Sequence, residues 1–305
     1  MRRLLLFIVT LTLAACSSDG GASKTKHALV IGIDGLRFDA LQQVSTPAMD
    51  ALIADGTVTY EAIAGGELGT ATEQRTLSGP GWSSILTGVW VDKHGVEDNG
   101  FDDARYDEYP HFFARVREKN PAAYLSSFVT WGPINDDILA SAEANAAFSP
   151  QDAGNSAEGD SAVTAAVVAH LAAETPDVVF VQLDDIDYQG HRAGFSPMAP
   201  EYASAVETVD SQVGEMVDAI VARPTYSMEV WLVVLTTDHG GNGVLHGLQS
   251  DEERTIFIIA SGGSAVRGRV ASPGPGHTAV PPTVMKHLGL EVDAAWGWES
   301  EPFGL

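Results

Sequence analysis

Apolar, β-branched runs alternate along the chain with stretches in which apolar residues recur every three or four positions. The apolar runs predict strands, which are 27–33, 123–130, 177–183, 229–237 and 255–261. The other stretches predict helices, which lie near 47–55, 81–88, 109–119, 160–173, 200–222 and 281–289. Strands that are apolar on both faces and alternate with helices are typical of a parallel sheet covered on both sides. We therefore expect an α/β fold with a mostly parallel central sheet and helices on both faces.

The N-terminal stretch has the pattern of an export signal. Two arginines precede an apolar run and a group of small residues, as in a secretory signal peptide. The stretch "LAAC", which ends at Cys16, resembles the bacterial lipobox, in which the cysteine carries a lipid; the alternative is a plain signal peptide with an incidental cysteine. We expect 1–15 to be a signal peptide, 16–26 a lipid-anchored tether and 27–305 a single α/β domain. The mature chain would then be exported and anchored through Cys16 to the bacterial cell envelope, at its periplasmic or outer face.

The composition is strongly acidic, with 17 Lys and Arg against 41 Asp and Glu and a formal net charge of −24. Such a surface repels nucleic acid phosphates, and the sequence has no basic patch, so we expect no binding to nucleic acid duplexes. Solubility or a salty habitat explains the charge as well as cation binding does. Cys16 is the only cysteine, which excludes an internal disulfide. Nothing in the sequence implies a protein partner.

Acidic and imidazole side chains follow three of the predicted strands. They are Asp34, Asp184, Asp185, Asp187, His191, Asp238, His239 and His246. Sites in α/β sheets form beyond the carboxyl ends of the strands, where crowded carboxylates repel one another unless cations neutralise them. Asp and His ligands without cysteine suit zinc or manganese at a catalytic site. Each residue alone is equally compatible with a turn or a helix cap, and only their joint placement favours a metal centre.

Five stretches, taken in order, resemble the alkaline phosphatase superfamily, and most closely its type I phosphodiesterase/nucleotide pyrophosphatase branch. They are "VIGIDGLRFDAL", "SGPGWSSILTGVWVDKHGVEDN", "DIDYQGHRAGF", "TTDHGGNGVLHG" and "PPTVMKHLGL". Together they extend over the chain from about 27 to 290. The resemblance implies an alkaline-phosphatase-like catalytic domain that binds two divalent metal ions, zinc or alternatively manganese.

The resemblance also implies a role for individual residues. One metal would be held by Asp187, His191 and His246. The other would be held by Asp34, Asp238 and His239, with Ser78 beside it as nucleophile and ligand. Asn99, at the family's spacing of 21 residues after the nucleophile, would bind a nonbridging phosphate oxygen. His277 in "PGPGHTA" is an alternative to His246. We prefer His246, because His246 lies in a His-Gly pair before the last predicted core strand.

Ser78 stands two residues before Pro80, at the expected start of a helix. A helix N-terminus stabilises negative charge on an alkoxide and on a bound phosphoryl group. The alternative is that Ser78 merely caps the helix. Thr76, Ser83 and Ser84 are rival nucleophiles, although the two serines lie inside the helix, where hydroxyls tend to bond back to the chain.

The substrate class follows from what surrounds Ser78. Trp82 stands where sulfatases of the superfamily carry an arginine, which argues against a sulfatase. Arg75 is the nearest arginine, and no residue near Ser78 forms an obvious clamp for a doubly charged monoester. We expect hydrolysis of phosphodiesters or nucleotide pyrophosphates, small-molecule phosphate esters, through a phospho-serine. The alternatives are a phosphomonoesterase or other ester hydrolase of the superfamily, and a non-catalytic metal-binding surface lipoprotein.

The stretch between Asn99 and Asp187, two of the candidate site residues, has room for a small insertion near the site. Its aromatic residues would stack on a base or line a pocket, or else belong to the core. They are Phe101, Tyr106, Tyr109, Phe112, Phe113 and Trp131.

Overall fold

The structure, a computed structural model, describes residues 24–139, 144–150 and 157–305. The predicted signal peptide, Cys16 and the tether up to residue 23 lie outside the described residues. Among the helices within those three ranges, none combines the length and the apolar character that crossing a membrane requires.

The centre of the fold is a single eight-stranded sheet. Its strands are β1 (Thr25–Ile33), β2 (Gly56–Ile63), β3 (Leu125–Val129), β4 (Ala146–Phe148), β5 (Val178–Leu183), β6 (Glu229–Thr236), β7 (Thr255–Gly262) and β8 (Arg269–Val270). They lie in the order β4-β3-β5-β1-β6-β7-β2-β8. All neighbours are parallel except that β7 runs antiparallel to both β6 and β2. The mostly parallel sheet is confirmed; β2, β4 and β8 were not predicted.

Helices cover both faces, as predicted. They are α1 (Phe38–Gln43), α2 (Pro47–Ala54), α3 (Ser78–Thr87), α4 (Val91–His94), α5 (Phe112–Lys119), α6 (Ala157–Ala173), α7 (Asp185–Ala193), α8 (Pro200–Val221), α9 (Asp251–Arg254) and α10 (Val280–Leu288). Alternate residues of β1 point to opposite faces, so Val30 packs with α3, α5 and α10, whereas Ile31 packs with α2, α6 and α8. The short helices α1, α4, α7 and α9 were not predicted.

The segment between Asn99 and Asp187 mostly belongs to the central fold. It supplies α5, β3, β4, α6 and β5. Phe112 and Phe113 are fully buried in the core, so they line no pocket. Phe101 and Trp131 are half-buried and lie with their ring centroids 6.0 Å apart.

The strand order places the candidate site. Because β5, β1 and β6 are adjacent and parallel, their carboxyl ends deliver Asp184, Asp34 and Asp238 to one edge of the sheet. The neighbouring β7 runs antiparallel to β6, so the connection between them begins and ends at that same edge. This connection carries His239 and His246.

Candidate metal centre

Three fully buried side chains converge at the carboxyl ends of β1 and β6. Ligand atoms of Asp34, Asp238 and His239, here called the inner group, all lie within 4.8 Å of one another. His239 Nε2 is 3.6 Å from Asp34 Oδ1 and 3.2 Å from Asp238 Oδ2. These distances leave room for one small cation among the three atoms.

A second set of side chains, the outer group, adjoins the inner group and consists of Asp187, His191 and His246. Asp187 and His191 lie one turn apart on α7, with His191 Nε2 3.4 Å from Asp187 Oδ2. His246 Nε2 is 3.5 Å from Asp187 Oδ1 and 3.0 Å from His191 Nε2. The ring of His246 stacks on that of His239 at a centroid distance of 3.9 Å, so the two groups form one continuous cluster.

The orientation of each imidazole in the cluster is fixed from behind by a backbone carbonyl. Nδ1 of His191 lies 3.0 Å from Val244 O, that of His239 2.8 Å from Gly240 O, and that of His246 2.8 Å from Thr76 O. Since a carbonyl only accepts, each Nδ1 carries the proton and donates it. Each Nε2 therefore presents a lone pair, and two lone pairs held 3.0 Å apart require a proton or a cation between them.

Several buried polar atoms of the cluster have no hydrogen-bond partner among the described residues. They are Asp34 Oδ1, Asp187 Oδ1, Asp238 Oδ2 and His239 Nε2. Buried polar atoms are nearly always satisfied, and all four face the interior of the cluster. The chemistry of these donors, carboxylate oxygen and imidazole nitrogen, fits divalent cations.

The pKa values of the cluster also favour a bound cation. Burial and the neighbouring carboxylates raise the pKa of Asp34 and of Asp238 well above the ordinary value. Burial lowers the pKa of His239 and of His246 to about 3, which keeps both rings neutral. His191 differs, because the hydrogen bond to Asp187 raises its pKa. Crowded acids and neutral imidazoles are both stabilised by a bound cation.

The second oxygen of Asp34 points away from the cluster and is held by two donors. Trp82 Nε1 donates to Oδ2 at 2.9 Å and Gln182 Nε2 at 3.3 Å. Gln182 also donates to Asp184 Oδ1 and accepts from the backbone amides of residues 130 and 131. Oδ1 of Asp34 is thereby directed toward the inner group.

Ser78 is the first residue of α3, and Leu77 occupies the capping position that the alternative interpretation had given to Ser78. The start of α3 lies against the inner group, because a Cβ added to Gly81 would come within 2.8 Å of Cβ of Asp238. Ser78 is 8% exposed, and its hydroxyl makes no hydrogen bond to any residue that the structure describes.

The rival hydroxyls are all engaged. Thr76 Oγ1 donates to Leu248 O at 2.7 Å and accepts from the amide of Gly247. Ser83 Oγ bonds back to the carbonyl of residue 79 at 2.6 Å, as predicted for a serine inside a helix. Ser84 Oγ donates instead to the side chain of Gln74 at 3.0 Å.

Asn99 lies beside the start of α3, next to Ser78. Its Oδ1 accepts the amide proton of Gly79 at 2.8 Å, which leaves Nδ2 without a partner among the described residues. Because the amide of Gly79 is bonded in this way, the donors left at the start of α3 for a phosphate oxygen are the amide of Ser78 and Nδ2 of Asn99.

The other histidines near the site lie outside both groups. His277 is fully buried beside the indole of Trp90, with ring centroids 5.0 Å apart. His94 is buried and bonds through Nε2 to Ser84 Oγ at 3.0 Å. The structure therefore brings His246, and not His277, to Asp187 and His191.

The sequence of this chain matches a known protein family over most of its length. A sequence model described as "Type I phosphodiesterase / nucleotide pyrophosphatase" matches residues 28–152 and 143–257, which is most of the chain. The chain belongs to this family. The predicted resemblance to the alkaline phosphatase superfamily is thereby confirmed.

Individual members and structural neighbours are distant. Bis(5'-adenosyl)-triphosphatase ENPP4 of Bos taurus is 22% identical to this chain over an alignment 262 residues long, and the match covers 79% of this chain and 53% of that protein. This chain spans about half the length of that curated relative.

Two solved structures share the fold. Murine ectonucleotide pyrophosphatase/phosphodiesterase 5, solved with AMP, has a TM-score of 0.66 at 14% identity, covering 87% of this chain and 96% of that chain. Phosphonate monoester hydrolase of Agrobacterium radiobacter has a TM-score of 0.65 at 15% identity, covering 87% and 74%.

Sequence reasoning missed Gln182 and Asp160, which support the site, and it named Trp82 without its contact to Asp34. Gln182 and the indole of Trp82 hold Asp34, and Asp160 contacts the start of α7. A glutamine inside the apolar run "VVFVQL" was a visible signal for the first. The sequence carries no local signal for Asp160, because its partners lie more than 20 positions away.

Proposed function

We propose that this chain is a two-metal hydrolase of phosphodiesters or nucleotide pyrophosphates that acts through a phospho-serine intermediate. The observation that carries the proposal is the unbonded hydroxyl of Ser78, at the start of a helix that packs directly on Asp238. A nucleophile placed beside a cluster of carboxylates and imidazoles is typical of metal-assisted phosphoryl transfer. A protein that only binds metal needs no such nucleophile.

Two cations would be held by residues already in place. Asp34, Asp238 and His239 would hold one beside Ser78, and Asp187, His191 and His246 the other. Zinc fits these mixed donors best, with manganese as the alternative. Divalent cations bound there supply Lewis acidity toward the attacking and leaving oxygens of a phosphate ester.

The chain's own groups bind and orient the ester. Ser78 Oγ gives up its proton to solvent and attacks phosphorus in line, and the bond from phosphorus to the leaving oxygen breaks, which releases the leaving group as the phospho-serine forms. Water then breaks the bond between Ser78 Oγ and phosphorus, which releases the phosphate product and restores the hydroxyl. The N-terminal end of α3 faces the transferred phosphoryl group with its positive dipole. Nδ2 of Asn99 donates to a nonbridging oxygen, since its Oδ1 is fixed by the amide of Gly79.

A preference for diesters or pyrophosphates is supported by the nearest arginine. Arg75 Nε lies 3.4 Å from Gly247 O and lines a cavity of about 760 Å³ together with Gln74 and Arg105. Its guanidinium bonds to that backbone carbonyl, and none of its described contacts sets it as a bidentate clamp for a dianionic monoester. The murine relative was solved with AMP, which supports a nucleotide as part of the substrate.

We also propose that the mature protein is exported and lipid-anchored through Cys16. The proposal rests on the arginines, the apolar run and the lipobox-like stretch of the N-terminus. Labelling of the expressed protein with a fatty acid, lost in Cys16→Ser, tests it. A chain that partitions with soluble proteins in both forms would contradict it.

A substrate panel on purified protein lacking the first 23 residues tests the proposed activity. We expect faster turnover of bis-p-nitrophenyl phosphate than of p-nitrophenyl phosphate, loss of activity with a chelator, and recovery with zinc. Faster monoester turnover would favour the phosphomonoesterase alternative. Two bound metals without activity on any phosphate or sulfate ester would favour a metal-binding lipoprotein and overturn the proposal.

A further inference from the structure

A buried carboxylate from a distant helix holds the start of α7. Asp160 lies in the first turn of α6 and is fully buried. Its Oδ1 accepts the backbone amide of Asp184 at 2.8 Å, and its Oδ2 accepts that of Asp185 at 2.9 Å. Thr130, which follows β3, donates a third hydrogen bond to Oδ1 at 2.7 Å.

These contacts replace the cap that α7 lacks. The capping residue of α7 is Asp184, and its own side chain makes no cap hydrogen bond. The first amides of a helix have no partner within the helix, and an acceptor there stabilises and orients the first turn. In α7 that acceptor is supplied by Asp160, across the interface between α6 and α7.

The helix held in this way carries two thirds of the outer group. Asp187 and His191 lie in the first and second turns of α7, and their side chains must meet His246, which comes from the connection between β6 and β7. A small rotation or shift of α7 would separate His191 from His246, whose Nε2 atoms are 3.0 Å apart. By contrast, the inner group takes no residue from α7.

We propose that Asp160 is a positioning residue that fixes α7 through the amides of its cap residue Asp184 and of its first residue Asp185, and that it thereby sets the affinity of the outer group for its metal. The inference rests on the proposed two-metal function. The hydrogen bonds of Asp160 go to Thr130 and to the backbone at the start of α7, and none goes to a side chain of either group, so it acts through the placement of α7. Its negative charge also favours the positively polarised end of the helix.

Asp160→Asn tests the inference, because the amide keeps the size of the side chain but turns one acceptor oxygen into a donor that faces a backbone amide. We expect the variant to bind the first zinc as wild type does and the second about 10-fold to 100-fold more weakly. Competition with a zinc-binding dye measures both constants. Cobalt(II) substitution adds a spectrum that reports the geometry of the outer site independently of turnover.

Glu158→Gln is the matched control. Glu158 is exposed in the same turn of α6, and its substitution removes the same charge without touching α7. We expect two zinc ions with wild-type affinities. If Asp160→Asn is folded and binds both zinc ions as tightly as wild type, the inference is overturned.

Should Asp160→Asn fail to fold, Thr130→Val decides the question. Valine keeps the shape of threonine but removes the hydrogen bond to Asp160 Oδ1, so we expect a few-fold weaker second zinc; an unchanged constant would overturn the inference. Wild-type protein that binds no second metal would overturn the proposed function together with the inference. Normal two-metal binding in wild type, unaltered by either substitution, would overturn the inference alone.

Discussion

The indole nitrogen of Trp82 donates a 2.9 Å hydrogen bond to Oδ2 of Asp34, joining helix α3 to the end of strand β1. The indole is fully buried and passes over β1 at Gly32, where an added Cβ would lie 2.3 Å from the ring. One side chain therefore both seats the helix that begins with Ser78 and orients a carboxylate of the inner group. The positions of Ser78 and Asp34 are therefore coupled through the side chain of Trp82.

Replacing Trp82 with phenylalanine should weaken the inner metal without removing a ligand. The ring would still fill much of the space, but Asp34 Oδ2 would keep only the longer hydrogen bond from Gln182. We expect an inner-site affinity for zinc lower by about 10-fold to 100-fold. Competition with a zinc-binding dye measures the change.

Trp296→Phe is the control for that prediction. Trp296 is also buried, but its ring contacts Arg115 and Lys119 and lies outside the metal cluster. The control should lose some stability and keep both zinc affinities. Equal losses of affinity in the two variants would show that Trp82 acts only through general packing.

Much of the site was predictable because it depends on sheet topology. Apolar runs indicate buried parallel strands, and parallel strands bring Asp34 and Asp238 to the same edge whatever the details of packing. The direction of β7 was not predictable, since an apolar run reads the same for either direction. Nor was β2, whose "GTVTYEAI" mixes polar and apolar residues without a continuous run.

The helix α7 shows where local sequence reasoning stops. Its sequence "DIDYQGHRA" is polar and contains Gly190, so the helix propensity of this stretch is too low to predict a helix. The structure stabilises it from outside, through Asp160 at its start and Phe195 packed against Gly190. In the same way, spacing predicted Ser78, but only tertiary contacts reveal that Thr76, Ser83 and Ser84 are all occupied by hydrogen bonds.

Ser78→Ala should abolish turnover while leaving metal binding intact. Its hydroxyl bonds to no described residue, so its removal disturbs no internal hydrogen bond. We expect turnover to fall by about three orders of magnitude or more, with zinc content still near two per chain. Mass spectrometry after acid quenching should find a phosphorylated Ser78 peptide in wild type and none in the variant.

Ser83→Ala is the matched control in the same helix. Ser83 donates to a helix carbonyl and contacts the hydroxyl of Tyr106 at 2.7 Å, so its loss should cost about 1 kcal/mol of stability. Turnover per folded molecule should stay near that of wild type. If Ser83→Ala were inactive and Ser78→Ala active, the nucleophile would have been wrongly assigned.

The two metals should leave the protein at different rates. Side chains of the outer group are 41% (His191), 14% (Asp187) and 7% (His246) exposed, whereas those of the inner group are at most 1% exposed. A chelator should therefore remove zinc in two phases of equal amplitude, the second slower by about an order of magnitude or more. His191→Ala should lack the fast phase. A single phase in wild type would show that the two groups release metal as one unit.

A buried ion pair away from the site should make the stability of the fold depend on pH in the acid range. Arg223 Nε bonds to Glu229 Oε2 at 2.9 Å, and both side chains are almost fully buried. Burial raises the pKa of Glu229, but hydrogen bonds from Arg223, Thr225 and Trp231 outweigh it and lower the pKa from 4.5 to about 2. Because the folded protein holds this proton less tightly than the unfolded chain, the resulting stability is present above about pH 4.5 and is lost as the pH falls toward 2.

Glu229→Gln should therefore be destabilised most near neutral pH. We expect the difference in unfolding free energy from wild type to shrink by on the order of 2 kcal/mol between about pH 4.5 and pH 3, allowing for solvent screening. Urea unfolding of chelator-treated protein measures it without a contribution from metal loss. Glu118→Gln, which removes the exposed partner of Arg115, should differ from wild type by less than about 1 kcal/mol without such a trend. A difference for Glu229→Gln that is constant from pH 3 to 7 would mean that its carboxylate gains nothing from Arg223 in the folded protein.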